Sequence, residues 1–451
     1  MNFLNRRQAL STISTSLAFA AMSTRNALAQ GSNPMAAKPT HFPAKAKHVI
    51  VLFMSGAPSH VDTFDYKPRL LQGGSAGRGK LMPPLAKFAQ RGQSGLWISG
   101  MFPNIAQHAD DICLLRGMQC DQPNHPPATR AAHTGSAVFI RPSLGAWTVY
   151  GLGTENTDLP GFVALGNATG VNFGSAFLPA RYQATPVNPG VKADSGRGGG
   201  RGPTTDEAIP NIRPTLANRN QRTQLDFLKK LNQEALRQDI HQPAVEGIMQ
   251  SYELAFRMQD SMPKVMDMSR ETEVTKAMYG IGDSATNAFG TQCLLARRMV
   301  ESGVRFIELT AGGWDHHTDI DEKLPESCSK VDKPIASLLA DLKQRDLLKD
   351  TLVIFASEFG RTPTASGSGR GHNNKGYTTW MAGGGVKGGY SYGATDDIGA
   401  EAVDGKMHTH DWHATILHLL GLDHTKLTYP HAGRNFRLTD VHGIVAKDII
   451  A

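Results

Sequence analysis

The chain has little cysteine. Four residues in 451, Cys113, Cys120, Cys293 and Cys328, are too few and too scattered for a disulfide scaffold or a zinc ribbon. Aromatic residues make up 7% of the chain, and no basic run interleaves with them, which excludes the usual nucleic-acid-binding signatures. Internal repeats are also lacking. The leading apolar stretch, residues 9–22, is short and carries Ser and Thr, so no permanent membrane span is expected there. With 40% hydrophobic and 19% charged residues the composition is neither disordered nor fibrous.

What is present is a chain long enough for one large α/β domain with insertions. Its formal charge of +7 and pI near 9.1 favour anionic substrates or surfaces. Asn5-Arg6-Arg7-Gln8 before the apolar stretch, and Ala27-Leu28-Ala29 before Gln30, read as a twin-arginine export signal over residues 1–29. Export would place the mature protein in the periplasm or outside the cell. Residues 30–46, polar and Pro-rich, read as a linker, followed by a domain over 47–450. Within it, residues 183–214 are rich in Gly, Pro, Arg and Thr and predict a mobile surface loop. Apolar spacing of three and four predicts a helical insertion over 218–302, interrupted at Pro263, with its Met residues in packing roles.

Apolar, β-branched runs at 48–54, 111–116, 159–165, 304–310 and 351–355 predict buried strands. Residues able to carry chemistry gather just past their ends, where open α/β sheets bind ligands. After the first strand come His60 and Asp62. After the fourth comes Gly313-Trp314-Asp315-His316-His317, the densest ligand set in the chain. Carboxylate and imidazole donors suit Zn, Mn or Fe, and the two-residue spacing lets Asp315 and His317 point to one side. After the fifth come Glu358 and, beyond a Gly/Ser-rich loop, His372. His410 and Asp411 either close the site or cap the helix that Gly421 ends. Asn124-His125-Pro126-Pro127 reads as a loop entering a helix. That helix either receives an anion on its free N–H groups, with Arg130 adding a fork of donors, or is simply capped.

The run TLVIFASEFG resembles the late strand of the alkaline phosphatase and sulfatase superfamily. By that resemblance Glu358 stands where a metal-binding Asp is expected. His372, followed by a strand into Gly383-Gly384-Gly385-Val386, resembles a late metal ligand, and Asp315 and His317 resemble the residues sharing its metal. GAPSHVDTFDYKP, NHPPATRAAHTG, RPSLGAWTVYGLGTEN, LPGFVAL, GWDHH, EFGRTP and HATILHLLGLDH resemble an exported, sulfatase-like family named domain of unknown function 1501. The implied fold is α/β, an alkaline-phosphatase-like, mostly parallel sheet flanked by helices, with a helical insertion. Three departures stand out. Ser55 replaces the first-strand Asp, Phe359 follows the late carboxylate, and no cysteine occupies the sulfatase nucleophile position.

The resemblance implies a metal-dependent hydrolase of sulfate or phosphate esters, its substrate an anionic small molecule or glycan ester. One divalent ion, Zn, Mn or Ca, is expected on Asp315, His317 and His372, with His316 in the same cluster. Glu358 with His60 or Asp62 is expected to hold a second. Arg130 and Arg361 are the expected anion clamps, His125 the nucleophile or acid/base, and Thr129 a second candidate. The competing expectation is a non-catalytic relative that binds an anionic glycan or an envelope partner.

Overall fold

Seven consecutive buried residues, HVIVLFM, make β1 (His48–Met54), the middle of the main sheet. A strand apolar on both sides must be covered on both faces, which is the parallel α/β solution. The structure, a computed structural model, describes residues 35–77, 79–166, 170–189, 208–209, 212, 218–238 and 243–451. The signal-like residues 1–29 and most of 183–214 lie outside them.

The elements that position the site are, in chain order, β1, β2 (Ile112–Gln119), α1 (His125–Thr134), α2 (Leu144–Leu152), β3 (Phe162–Leu165), β4 (Thr185–Val187), α3 (Asn218–Gln238), α4 (Pro243–Met266), α5 (Asn287–Glu301), β5 (Phe306–Ala311), α6 (Ile320–Gln344), β6 (Thr351–Ala356), β7 (Gly360–Ser366), β8 (Gly369–Asn373), β9 (Tyr377–Ala382), β10 (Tyr390–Tyr392), β11 (Met407–His408) and α7 (Thr409–Leu419). The nine-stranded sheet runs β10-β2-β9-β6-β1-β5-β3-β4, with β11 also pairing β2. Only β9 runs antiparallel to its neighbours β6 and β2. In the centre, Val51 of β1 lies opposite Glu308 of β5 and Ile354 of β6. This is the mostly parallel, helix-flanked sheet that the resemblance implies.

Alternation along β1 splits the core. Ile50, Leu52 and Met54 pack with residues of α5 and α6, while Val49, Val51 and Phe53 pack with α2 and α7. Met258, Met262 and Met266 of α4 are buried in the first of these clusters.

Several local expectations change. Pro263 does not break a helix; it sits inside α4, three residues from its end, where the carbonyl it deprives of a donor belongs to the last turns. Likewise α6 starts at Ile320 and runs through both Pro325 and Pro334. Its buried stripe Leu324, Cys328, Val331, Ile335, Leu338 and Leu342 outweighs the missing backbone bonds. The Gly/Ser-rich segment after Glu358 is a hairpin, β7–β8. Residues 35–46, expected as a linker, are bonded to the domain: Thr154 N donates to Met35 O at 2.7 Å, Lys38 N to Leu152 O at 2.8 Å, and Ala46 N to Leu419 O at 2.9 Å. All four cysteines are free and buried, and burial pushes the Cys113 and Cys120 thiols up to about 12.

One buried ion pair joins α1 to the sheet. His133 Nε2 donates to Glu308 Oε1 at 2.6 Å and Nδ1 to Thr129 O at 2.7 Å. With both ring nitrogens facing acceptors, the imidazole is doubly protonated. Burial opposes that charge, but the Glu308 charge and hydrogen bond raise His133 above its ordinary 6.5. A raised pKa in the folded state means that this contribution is complete below about pH 6.5 and is lost as pH rises through the folded value. Urea unfolding across that window should therefore show stability falling with rising pH. Glu308→Gln should cost on the order of 3–5 kcal/mol at acid pH and flatten the slope.

Candidate active site

Three strand ends meet here. β1 ends at Met54, β5 at Ala311 and β6 at Ala356, and α1 and β8 bring in His125 and His372. At the centre is Glu358, 1% exposed. It accepts hydrogen bonds from Gly56 N at 2.9 Å, Ser357 Oγ at 2.9 Å and His125 Nδ1 at 2.6 Å. A buried carboxylate is costly unless donors such as these surround it. Gly56 can supply its N–H because it has no side chain: its φ is +111°, and a Cβ there would stand 2.7 Å from Asp315 N and 2.8 Å from Trp314 N.

His125 thus turns Nδ1 to Glu358, with Nε2 facing Asp315 Oδ1 at 3.1 Å. That approach lacks hydrogen-bond geometry, so Nε2 is a buried ring nitrogen without a bonded partner. His372 is held in the same way. Its Nδ1 donates to Pro123 O at 2.6 Å, leaving Nε2 3.5 Å from Asp315 Oδ1 and 2.9 Å from His317 Nε2. His317 Nε2 is itself 3.0 Å from Asp315 Oδ1. Ligand atoms of His125, Asp315 and His372 all lie within 4.8 Å of one another. Two imidazoles and a carboxylate this close together are a donor set suited to a divalent ion.

Phe359, buried, packs its ring 4.7 Å from that of His125 and 4.8 Å from that of His372. It forms an apolar floor beneath the two imidazoles.

Arg361 is fully buried and faces inward. Nε donates to Ala57 O at 2.9 Å, Nη2 to Gly56 O, and Nη2 to Asp315 Oδ1 at 2.5 Å. Burial opposes the Asp315 charge, yet the Arg361 guanidinium and His125 hold its carboxyl well below the usual range. His125 is pulled the other way: burial disfavours its charge, but Glu358 and Asp315 raise it. His372 is lowered, by burial and then by Arg361 and its neighbouring imidazoles, which favours a free lone pair.

Other expected residues sit elsewhere. His316 points away from the cluster, its Nε2 3.2 Å from Ser327 Oγ on α6, and burial lowers it to about 4. Asp62 is fully buried and paired with Arg370, whose Nε donates at 2.7 Å and Nη2 at 3.1 Å. His60 Nε2 donates to Gly399 O at 2.8 Å. Neither joins the His125–Asp315–His372 group: Asp62 is taken by Arg370, and His60 is turned toward Gly399, its Nδ1 buried without a bonded partner. Arg130 directs Nη1 to the carbonyls of Ala137 and Val138, beyond the far end of α1. Thr129 contributes a carbonyl to His133. The anion-receiving helix start is also absent: α1 begins at His125, so Pro126 and Pro127, which have no N–H, fill its first turn. Asp411 caps α7, accepting from His408 N at 2.9 Å.

The sequence reading missed two things. His125 belongs with the ligand candidates, and Glu358 bonds to it rather than standing free. The signal was weak, since a His before two prolines reads as a loop residue.

The fold and cluster define an α/β protein with a mostly parallel sheet and a His/Asp/Glu site at its strand ends. The chain belongs to the family described as protein of unknown function (DUF1501), whose profile matches residues 46–450. No curated protein matches in sequence. Similar solved structures include the PsFucS1 sulfatase from Pseudoalteromonas sp., at 16% identity over 84% of this chain and 68% of that one, TM-score 0.34. The lipoteichoic acid synthase LtaP from Listeria monocytogenes matches at 8% over 90% and 78%, TM-score 0.37. The phosphonate monoester hydrolase SpPMH from Silicibacter pomeroyi matches at 12% over 83% and 73%, TM-score 0.30. At these values the likeness assigns no substrate and no residue.

Because Asp62 and Arg370 pair away from the cluster, Asp62→Ala should destabilise the fold by about 3–5 kcal/mol by leaving a buried arginine unpaired. Chemical denaturation measures that loss, and the metal content of the folded fraction should be unchanged.

Proposed function

We propose that the protein is an exported metal-dependent hydrolase of sulfate or phosphate esters with a single ion site on His125, Asp315 and His372. The observation that carries this reading is the matched orientation of the two histidine rings. Glu358 and Pro123 O hold the Nδ1–H groups at 2.6 Å each, so both Nε2 atoms face Asp315. Histidine ligands are commonly oriented by such outer partners. A divalent ion held there supplies Lewis acidity toward an ester oxygen. Asp315 and His317 have half-exposed side chains, which opens this side of the cluster to a substrate. His317, with Nε2 beside Asp315, is placed to hold a proton for the leaving oxygen. Arg361 acts through Asp315, keeping it ionised. Ser55 and Phe359, together with the Asp62–Arg370 pair, support one ion rather than two.

A second reading, binding of an anionic glycan or envelope partner without turnover, is favoured by one observation: Arg361 already neutralises Asp315. Among the described residues no helix is long and apolar enough to cross a membrane. The paired arginines at positions 6 and 7 support export. Peptide sequencing of the exported chain should begin near Gln30.

Elemental analysis should find a single divalent ion per chain, lost in Asp315→Ala. A panel of aryl sulfates and phosphates with Zn, Mn or Ca should then show turnover that this variant lacks. Glu358→Gln should weaken metal affinity roughly 10–100-fold. A chain that stays metal-free and inactive after loading overturns the hydrolase. Anionic-glycan binding retained by Asp315→Ala, with no hydrolysis by either form, supports the second reading.

A further inference from the structure

The loop between α1 and α2 carries three consecutive large apolar residues that are mostly exposed. Val138 is 72% exposed, Phe139 64% and Ile140 61%. The C-terminal turn beside it adds Val441 at 72% and Ile444 at 75%. The two segments are tied together: Arg141 Nη1 donates to Asp440 Oδ2 at 3.1 Å, and Arg434 and Arg437 also reach Asp440. The Arg141 guanidinium lies 5.6 Å from the Phe139 ring centroid and 5.4 Å from that of Phe436. Arg130 braces the loop from below, Nη1 reaching Ala137 O and Val138 O at 3.2 Å each. Arg434, with its side chain 49% exposed, and the more buried Arg130, Arg141 and Arg437 thus lie around the base of the apolar tip. Of the carboxylates there, that of Asp440 is shared by Arg141 and Arg434 while Arg437 donates to its backbone carbonyl, and Asp411 accepts the N–H groups of His408 and Ile444.

We infer that this surface docks the protein peripherally on an anionic lipid bilayer. The charge is complementary to lipid phosphate, and arginines can lie at the headgroups while their stems and the apolar tip enter the acyl boundary. The shape favours the same occupant. Side chains this exposed project outward, and a soft interface accepts a convex tip that a protein partner could receive only in a matching pocket. Residues 136–141 form neither strand nor helix, so they offer no sheet edge for strand addition. α1, with ten residues, separates this surface from His125 by about 15 Å, so docking leaves the strand-end cluster uncovered. The inference is independent of the proposed chemistry.

The test is sedimentation of the chain, as isolated from cells, with vesicles of phosphatidylcholine alone or mixed with phosphatidylglycerol. The chain should bind the mixed vesicles, release at high salt, and bind pure phosphatidylcholine weakly. Phe139→Asp and Val138→Asp, both at exposed positions, should keep the wild-type melting temperature and lose at least about tenfold in partitioning. No binding to mixed vesicles, or equal binding by both variants, overturns the inference. So does a concentration-dependent dimer that Phe139→Asp abolishes, which would assign the surface to a second copy.

Discussion

The carboxylate of Glu358 is the constraint around which the site is arranged. A buried carboxylate is costly unless donors surround it, and this one draws them from three elements: Gly56 after β1, Ser357 after β6 and His125 at the start of α1. Each requirement propagates. Gly56 must be glycine to pass the Trp314–Asp315 backbone. Ser357 also bonds Met54 O, joining the ends of β1 and β6. His125 must present Nδ1, which turns Nε2 toward Asp315. At the other end of α1, His133 and Glu308 hold the helix to β5 by a second buried pair. One helix is thus pinned to the sheet at both ends by imidazole–carboxylate contacts, and the first of them sets the direction of a donor atom.

Much of the fold was legible in the residues. Buried strands announce themselves when apolar and β-branched residues run unbroken, as in 48–54 and 351–355, and the site's place at the strand ends followed from the order of strands. Helix limits were less legible. Pro263 read as an interruption, but α4 continues through it, and α6 likewise runs through Pro325 and Pro334 because its apolar stripe packs along its buried face. The hairpin after Glu358 was hidden by small residues that signal a loop as readily as a tight antiparallel turn.

Within the site, Asp315, His317 and His372 were found by their chemistry, and the structure brings them together. Asp62 and Arg361 misled for a shared reason: sequence shows that a residue carries charge but not whether another buried charge has already claimed it. Asp62 belongs to Arg370, and Arg361 belongs to Asp315 and four backbone carbonyls. His125 was read for its own reactivity, because nothing local reveals that Glu358, over two hundred residues away, orients its ring. Phe359 was visible as a departure, and its position between two imidazoles gives that departure a physical meaning: the floor of the cluster is apolar.

The account's central claim is that Glu358 orients a ligand rather than serving as one. X-ray absorption spectroscopy on zinc-loaded protein, paired with a crystal structure of the same sample, tests it directly. The predicted result is one ion at about 2.0–2.2 Å from the Nε2 atoms of His125 and His372 and from an Asp315 oxygen, with Glu358 still bonded to His125 Nδ1. An ion coordinated directly by Glu358, or bound away from His125, would contradict it.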